Sequence, residues 1–580
     1  MKVKLILLFL IIFLPSLYSK EYEGTTKEVT LKLIETTDVH GNFFSYDFIN
    51  NRPLDGGLSH VASYVKEQRS LLGDDLCLLF DAGDILQGQP CVYYTNFIDT
   101  LNTHLTSDMM NFMGYDAACF GNHDIEAGHP AFDRWTNDSS FPILGANILS
   151  VTNNQPYAKP YCIFEREGVK IAVLGMITPA IPMWLPETLW SGLRFEDMVA
   201  CARKWIPLIQ ETEKPDILVG LFHTGLKGAG INGFNENTAE EIALTIPGID
   251  LIFYGHDHRG HCQEVTNRIS GKPVWLLNAG GETNHVAEAS LTFSIKDGKV
   301  TGRQIKGSLV SMDAYKPDSA FTANYKEKWE EVQAFVSERI GSLAKPIETL
   351  DYFFGPSAMA DLLHHAQLSQ VEADISLVTP LTFNEVINAG DIYVKDIFKL
   401  YRYENRINVF QLTGKEILGA LERSYSLWSR TMASPEEHAL PIRYREEKRA
   451  QLDAPIFYLL SAAGISYEVD LTQPNGEKVK ITRMKDGTDF QTDKTYRVAV
   501  NSYIGSGGGG LLTEGSGITL EDLPSRIIAT SDKDLRNYVI EYFRRHHFPV
   551  EVLPLSDWKF VPENLVKEAL ERDRKILSDN

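Results

Sequence analysis

The sequence predicts a two-domain α/β protein, and three observations carry that prediction. The chain has 580 residues, more than a single hydrophobic core organises. Residues 28–310 alternate apolar, strand-like runs with segments of helical spacing. Residues 311–345 then turn charged and amphipathic without a strand pattern, before a second alternating stretch opens near residue 346.

The first 19 residues read as a signal peptide. Lys2 and Lys4 precede an apolar stretch, Leu5 to Leu14, too short to span a bilayer. Ser16 and Ser19 are small residues near the expected cleavage point, after Ser19. No cysteine sits there, so a lipid anchor is not expected. No later segment is a run of about 18 apolar residues, so no stable membrane insertion is expected. The sequence predicts an exported protein, periplasmic or extracellular.

In residues 28–310 the apolar runs are Val29–Ile34, Leu76–Phe80, Ala117–Phe120, Ile143–Ala146, Ile171–Leu174, Ile217–Phe222, Leu251–Tyr254 and Val274–Leu277. Leu58–Leu72 and Phe195–Thr212 have helical spacing. Near-continuous apolar runs between helices suit a sheet buried on both sides. Ala287–Ser294 and Val300–Ile305, joined through Asp297-Gly298, read as a closing hairpin. Tyr325–Ile340 reads as a connecting helix ended by Gly341, which makes 311–345 a linker. The second domain, 346–535, holds helical Met359–Gln370, strand-like Asp374–Val378 and Ile407–Leu412, and helical Gly414–Tyr425. Residues 536–580 read as a helical tail, from the stretches Lys533–His546 and Glu563–Leu577.

Composition narrows the function. The net charge of −21 argues against a nucleic-acid polymer held by counterion release. A small phosphate ester remains compatible, because bound metals reverse the local charge. Of the six cysteines none forms a C-x-x-C pair, and Cys77 and Cys119 lie in apolar runs where a small buried residue is expected. A monomer is expected.

Five segments carry the chemistry: Thr37-Asp38-Val39-His40-Gly41, Gly83-Asp84, Gly121-Asn122-His123-Asp124, Phe222-His223-Thr224 and Gly255-His256-Asp257-His258. Each stands where an apolar run stops, the strand end at which open α/β sheets collect their ligands. A lone histidine there is ordinarily structural; the ordered set points to two divalent cations. Asp38, His40 and His258 are assigned to the first, Asn122, His223 and His256 to the second, and Asp84 bridges both. Mixed nitrogen and oxygen ligands suit Zn, Mn, Co or Fe. His123 is kept off the metals as the group that stabilises phosphoryl oxygens or protonates a leaving alkoxide, with Glu126 orienting it. Asp124 is read as a cap on the following turn, and Asp81 as a support behind the bridging position. His60, His104, His129 and His261 have no motif around them.

These segments resemble the calcineurin-like metallophosphoesterases, and the two-domain layout resembles the exported 5′-nucleotidase family within them. The resemblance covers roughly residues 30–530. Four stretches look closest to the periplasmic 2′,3′-cyclic-nucleotide 2′-phosphodiesterase/3′-nucleotidase branch: Asp84-Ile85-Leu86-Gln87-Gly88, Ile177 to Trp184, Leu400-Tyr401-Arg402-Tyr403-Glu404-Asn405, and Ile465 to Thr472. The resemblance implies an N-terminal metal domain, a C-terminal nucleoside-binding domain and a small nucleotide substrate in the cleft between them. It also implies that the first domain is an α/β sandwich, that Tyr403 and Tyr503 sandwich the base while Asn122 contacts the substrate as well as a metal, and that His285 lies near the site. Two departures stand out. The 5′-nucleotidase branch carries an Arg-containing, glycine-rich segment where this chain has Val378 to Asn384, with neither Arg nor a Gly pair. The partner of the catalytic histidine is usually Asp, and here it is Glu126. The expectation is therefore an exported phosphoesterase for 2′,3′-cyclic nucleotides and 3′-nucleotides. The alternatives are a 5′-nucleotidase or nucleotide-sugar hydrolase, a thiosulfohydrolase-like reaction, or a non-catalytic binding protein on the same fold.

Overall fold

A computed structural model describes residues 26–228, 235–444 and 450–578. The signal-peptide expectation falls outside these residues. The predicted runs of the first half form strands, and they divide between two six-stranded sheets, the α/β sandwich that the resemblance implies. In the first sheet the spatial order is Lys299–Ser311, His285–Lys296, Lys27–Thr36, Cys77–Asp81, Ala117–Cys119 and Ile143–Leu144. In the second it is His261–Thr266, Pro273–Asn278, Leu251–Tyr254, Ile217–His223, Val169–Ile177 and Tyr161–Arg166. The central strands pair in parallel; the edge strands are antiparallel except Ile143–Leu144, which is parallel to Ala117–Cys119.

The double-sided hydrophobicity of the strands has a physical origin in this arrangement. One face of each sheet meets the other sheet: Leu31, Leu33, Leu78 and Phe80 pack with Val173, Val219, Leu221 and Phe253. The outer faces are covered by helices, Leu58–Leu72 over the first sheet and Met198–Thr212 over the second. Each such fully buried Leu, Val or Phe contributes about 1.5–3 kcal/mol. The result is a helix–sheet–sheet–helix stack.

The connecting helix is shorter than predicted. It runs Lys326–Val336, and Gly341 does not end it. Arg339–Leu343 is instead a strand, paired antiparallel with Gly390–Tyr393 of the second half. Gly341 suits a close approach there, since a Cβ would stand 3.1 Å from the Phe543 carbonyl oxygen.

The second half is organised on a five-stranded sheet in the order Ser461–Ala463, Ile375–Val378, Thr495–Asn501, Arg406–Thr413 and Ile527–Asp534. Helices Ala358–Leu368 and Gly414–Trp428 pack beside it. The C-terminal segment is not purely helical. Between helices Leu535–Arg544 and Glu563–Ser578 lies the strand Asp557–Val561, parallel to Ile465–Asp470 in a three-stranded sheet. Trp558 and Phe560 alternate into the core while Asp557 and Lys559 face out, the period of a half-buried strand. All six cysteines are free thiols.

Candidate metal centre

The five segments converge because their strands are neighbours. Lys27–Thr36, Cys77–Asp81 and Ala117–Cys119 are adjacent and parallel in one sheet. Ile217–His223 and Leu251–Tyr254 are adjacent and parallel in the other. Both sheets present their carboxyl ends at one edge, so residues distant in sequence meet there.

The turns that aim the ligands are unusual. Asp38, His40, Asp84, His256 and His258 all have positive φ, between 47° and 76°, a conformation that costs of order 1–3 kcal/mol for a non-glycine residue and concentrates at functional sites. The loops also approach more closely than side chains allow. A Cβ on Gly121 would lie 2.2 Å from Asp84 Oδ1, and one on Gly255 would lie 2.0 Å from Thr37 Oγ1.

Asp38, His40, Asp84 and His258 form one group whose ligand atoms lie within 4.8 Å of one another, and Asp84, His223 and His256 form a second. Asp84 belongs to both. His258 Nε2 lies 3.2 Å from Asp38 Oδ1 and 3.1 Å from His40 Nε2. His223 Nε2 lies 3.1 Å from both Asp84 Oδ2 and Asn122 Oδ1. Asp38 and Asp84 are buried, whereas the His258 side chain is 47% exposed, so the centre opens on that side.

The donor set suits a cation. His40 Nδ1 faces the Gln87 carbonyl at 3.1 Å and His223 Nδ1 faces the Ala82 carbonyl at 2.8 Å. A carbonyl only accepts, so Nδ1 carries the hydrogen and Nε2 is left to point inward. Carboxylate, amide and imidazole acceptors thus converge, and only positive charge reconciles them. Burial holds His40 and His256 down to about 4, leaving neutral lone pairs. At His223 burial is outweighed, chiefly by the Asp84 carboxylate, and the imidazole rises to about 9: a proton occupies the position that a cation would displace. These residues fit two divalent ions.

Asp124 does more than cap its own turn. Besides accepting from Gly121 N (2.7 Å), its carboxylate accepts from the amides of Asp84, Ile85 and Leu86, each at 2.9 Å. It therefore ties the Asp84 loop to the Asn122 loop. Burial first, then the Asp84 charge, pushes it up to about 6. Asp81 accepts from Thr36 Oγ1 and Gly83 N and lies outside both ligand groups. Glu126 reaches His123: Oε2 lies 2.5 Å from His123 Nδ1. His285 begins the strand His285–Lys296 opposite Ser311 and lines neither cavity at the centre.

A cavity of about 220 Å³ adjoins the second ligand group. Asn122, His123, Glu126, Trp184, Leu185 and His256 line it from the first half, and Leu381, Tyr403, Asn405, Phe457 and Tyr503 from the second. The structure thus brings Tyr403 and Tyr503 to one chamber beside the metal centre. Tyr403 lies nearly parallel to His123 (centroids 5.9 Å, 12°), and Trp184 stacks on His256 (5.5 Å, 28°). Phe457, perpendicular to Tyr503 at 5.6 Å, was not foreseen; its only signal was the apolar run Ile456-Phe457-Tyr458. The stretch Val378 to Asn384 contributes Leu381, and among the described residues no Lys or Arg lines this chamber.

The segment carrying Tyr403 is held from the helix Leu535–Arg544. Arg536, fully buried, donates to the Tyr401 carbonyl (2.8 Å), to the Arg402 carbonyl and to Glu404 Oε1 (2.7 Å). Its guanidinium lies 4.1 Å from the Phe398 ring centroid and 5.0 Å from that of Tyr93.

Comparison with known proteins agrees with this geometry. A model for calcineurin-like phosphoesterases matches residues 31–260, and one for the 5′-nucleotidase C-terminal domain matches residues 339–514. The chain is 24% identical over 569 residues to the trifunctional nucleotide phosphoesterase protein YfkN of Bacillus subtilis, covering 87% of this chain but 38% of that protein. It is 23% identical over 598 residues to the 2′,3′-cyclic-nucleotide 2′-phosphodiesterase/3′-nucleotidase of Haemophilus influenzae, covering 92% and 88%. The crystal structure of a putative 5′-nucleotidase from Staphylococcus aureus shares the fold, with a TM-score of 0.73 at 19% identity over 92% of this chain and 99% of that one.

Proposed function

Because the chain belongs to the calcineurin-like metallophosphoesterases that carry a 5′-nucleotidase C-terminal domain, and is therefore a hydrolase of phosphate esters, we propose that it acts on 2′,3′-cyclic nucleotides and 3′-nucleotides. The observation that carries this reading is the adjacency of the Asp84-centred ligand groups to a chamber walled by Tyr403, Tyr503 and Phe457. Aromatic faces accept any base, at about 1–3 kcal/mol per stacked base. Among the described residues no Lys or Arg lines that chamber, and the stretch Val378 to Asn384 holds none, which favours this reading over a 5′-nucleotidase whose second domain grips the phosphate through Arg.

Divalent ions bound here would supply Lewis acidity that lowers the pKa of a water and offsets charge developing on phosphate oxygens. The protein's own groups do the rest. Asp38, His40 and His258 would hold one ion and Asn122, His223 and His256 the other, with Asp84 within reach of both groups. Burial opposes charge on His123, yet Asp84 and then Glu126 push it up to about 10. Glu126 holds Nδ1, which leaves Nε2 to give a proton to the leaving alkoxide. With a cyclic substrate the 2′ P–O bond opens and a 3′-nucleotide remains; a second water then releases phosphate and nucleoside. Tyr403 and Tyr503 hold the base through both steps. The protein works outside the cytoplasm as a monomer.

The test is product analysis with Mn-loaded protein given 2′,3′-cyclic AMP, 3′-AMP and 5′-AMP separately. Fast turnover of the first two with little hydrolysis of 5′-AMP is expected. Preference for 5′-AMP would overturn the branch assignment in favour of a 5′-nucleotidase or nucleotide-sugar hydrolase. No turnover with metals bound would overturn the nucleotide reading.

A further inference from the structure

The four imidazoles of the two ligand groups are not held alike. His40 and His223 are fixed at Nδ1 by the carbonyls of Gln87 (3.1 Å) and Ala82 (2.8 Å). His258 turns Nε2 toward Asp38 at 3.2 Å. Among the described residues, neither ring nitrogen of His256 has a hydrogen-bond or ion-pair partner. Its backbone is pinned: the amide donates to both carboxylate oxygens of Asp38, at 3.0 and 3.1 Å, and φ is 76°. That fixes where the side chain starts and leaves the rotation of its ring open.

Trp184 closes that freedom. Its ring lies over His256, with centroids 5.5 Å apart and planes 28° apart. His223 meets the same imidazole edge-on, at 5.3 Å and 71°. Both separations fall in the range of about 4.5–7 Å that aromatic pairs prefer. An imidazole held between a flat indole and a perpendicular ring cannot turn without losing both contacts.

The position of Trp184 is set by the backbone around the centre. Thr178 N donates to the His223 carbonyl at 2.8 Å, so the chain leaving the strand Val169–Ile177 starts beside that ligand. The short helix Ile181–Trp184 follows, with Ile181 and Met183 buried. It packs on Ser502–Gly505 of the second half, the turn that carries Tyr503. Trp184 is therefore clamped between the halves, with the His256 ring on its face.

We propose that Trp184 is a positioning residue for His256: ring stacking does here what a hydrogen bond does for His40 and His223. The affinity of the ion at Asn122, His223 and His256 then depends on the indole, and that of the ion at Asp38, His40 and His258 does not. The proposal rests on the two-ion reading above. Without the indole the imidazole samples further rotamers, and the lost entropy of ordering it opposes ion binding. Phenylalanine keeps a flat face for the ring; alanine keeps none.

The test titrates chelator-stripped protein with Mn and reads free Mn by electron paramagnetic resonance, for wild type, Trp184→Ala and Trp184→Phe. The outer partner of a ligating histidine is worth about 10- to 100-fold in metal affinity. Trp184→Ala is expected to weaken one of the two sites by that factor and leave the other unchanged, and Trp184→Phe to restore most of the loss. Three results would overturn the positioning role alone: two unaltered sites in Trp184→Ala, both sites weakened alike, or Trp184→Phe as weak as Trp184→Ala. Wild type that binds fewer than two ions would overturn the two-ion reading, and the role of Trp184 with it.

Discussion

The Asp124 carboxylate accepts the backbone amide of Asp84 at 2.9 Å, so the residue shared by both ligand groups is positioned from a neighbouring loop. Asp124→Asn turns one acceptor oxygen into a donor facing an N–H group. A buried mismatch of this kind costs about 1–3 kcal/mol. The variant should bind fewer than two metal equivalents after dialysis, by elemental analysis, with the fold retained by circular dichroism. Full metal content would show that the Asp84 loop is set without Asp124.

Glu126 and His123 form the second pair on which catalysis depends. His123→Asn should lower kcat by about 10²–10⁴, the usual worth of a general acid, with KM and metal content little changed. Glu126→Gln should lower kcat less, because the hydrogen bond survives and only its charge is lost. Equal losses in KM and kcat would place His123 in substrate binding instead.

Base stacking predicts a loss confined to affinity. Tyr403→Ala and Tyr503→Ala should each raise KM for 3′-AMP by about 5- to 150-fold, from 1–3 kcal/mol per stacked base. The inhibition constant for inorganic phosphate, which has no base, should stay constant. A matching change in phosphate inhibition would mean that the substitutions disturb the metal loops.

Arg536 links the helix Leu535–Arg544 to this chemistry. Arg536→Met leaves Glu404 buried beside Glu126 and frees two carbonyls, and breaking a buried pair in this way costs about 3–5 kcal/mol. Arg536→Lys keeps the charge without the fork that reaches Tyr401, Arg402 and Glu404 together. It should raise KM for 3′-AMP more than it lowers kcat, because the group displaced is the Tyr403 segment. Unchanged KM in a folded Lys variant would restrict Arg536 to stability.

Acid should destabilise the second half through His364. Its ring is fully buried between Ser376 Oγ (2.8 Å) and Ser461 Oγ (3.3 Å). Burial, with His365 and Lys485 adding repulsion, holds it down to about 3. A histidine depressed in the folded state stays neutral there while the unfolded chain takes up a proton below about 6.5. Its contribution is present above that pH and declines as pH falls toward 3, by about 1.4 kcal/mol per pH unit. Denaturant melts between pH 7 and 5 should show a shallower slope for His364→Gln than for wild type. Parallel slopes would contradict the assignment.

The metal loops were legible because they interrupt a simple pattern: apolar runs stop, and Gly, Asp, Asn and His follow at once. The closing hairpin of Ala287–Ser294 and Val300–Ile305 was legible from its Asp297-Gly298 turn. The split into two sheets was not legible in the runs themselves, since a strand buried between helix and sheet has the same composition as one buried between two helices. Arg339–Leu343 was absorbed into the preceding helix because its partner, Gly390–Tyr393, lies far along the chain. The strand Asp557–Val561 did carry a signal, the alternation of Trp558 and Phe560 with charged neighbours. Arg536 had none: its partners Tyr401, Arg402 and Glu404 are remote, and an arginine in an amphipathic helix ordinarily faces water. Asp124 looked like a cap because its contacts to residues 84–86 depend on the sheet that places the two loops side by side.

The most direct test of the central claim is activity measured against bound metal. Chelator-stripped protein would be titrated with Mn, bound ions counted per chain, and hydrolysis of 3′-AMP followed at each point. Activity is expected to rise to a plateau at two equivalents, and Asp84→Asn should bind less metal and lose turnover, because one carboxylate serves both ions. Full activity at one equivalent, or unaltered turnover in Asp84→Asn, would contradict a shared two-metal centre.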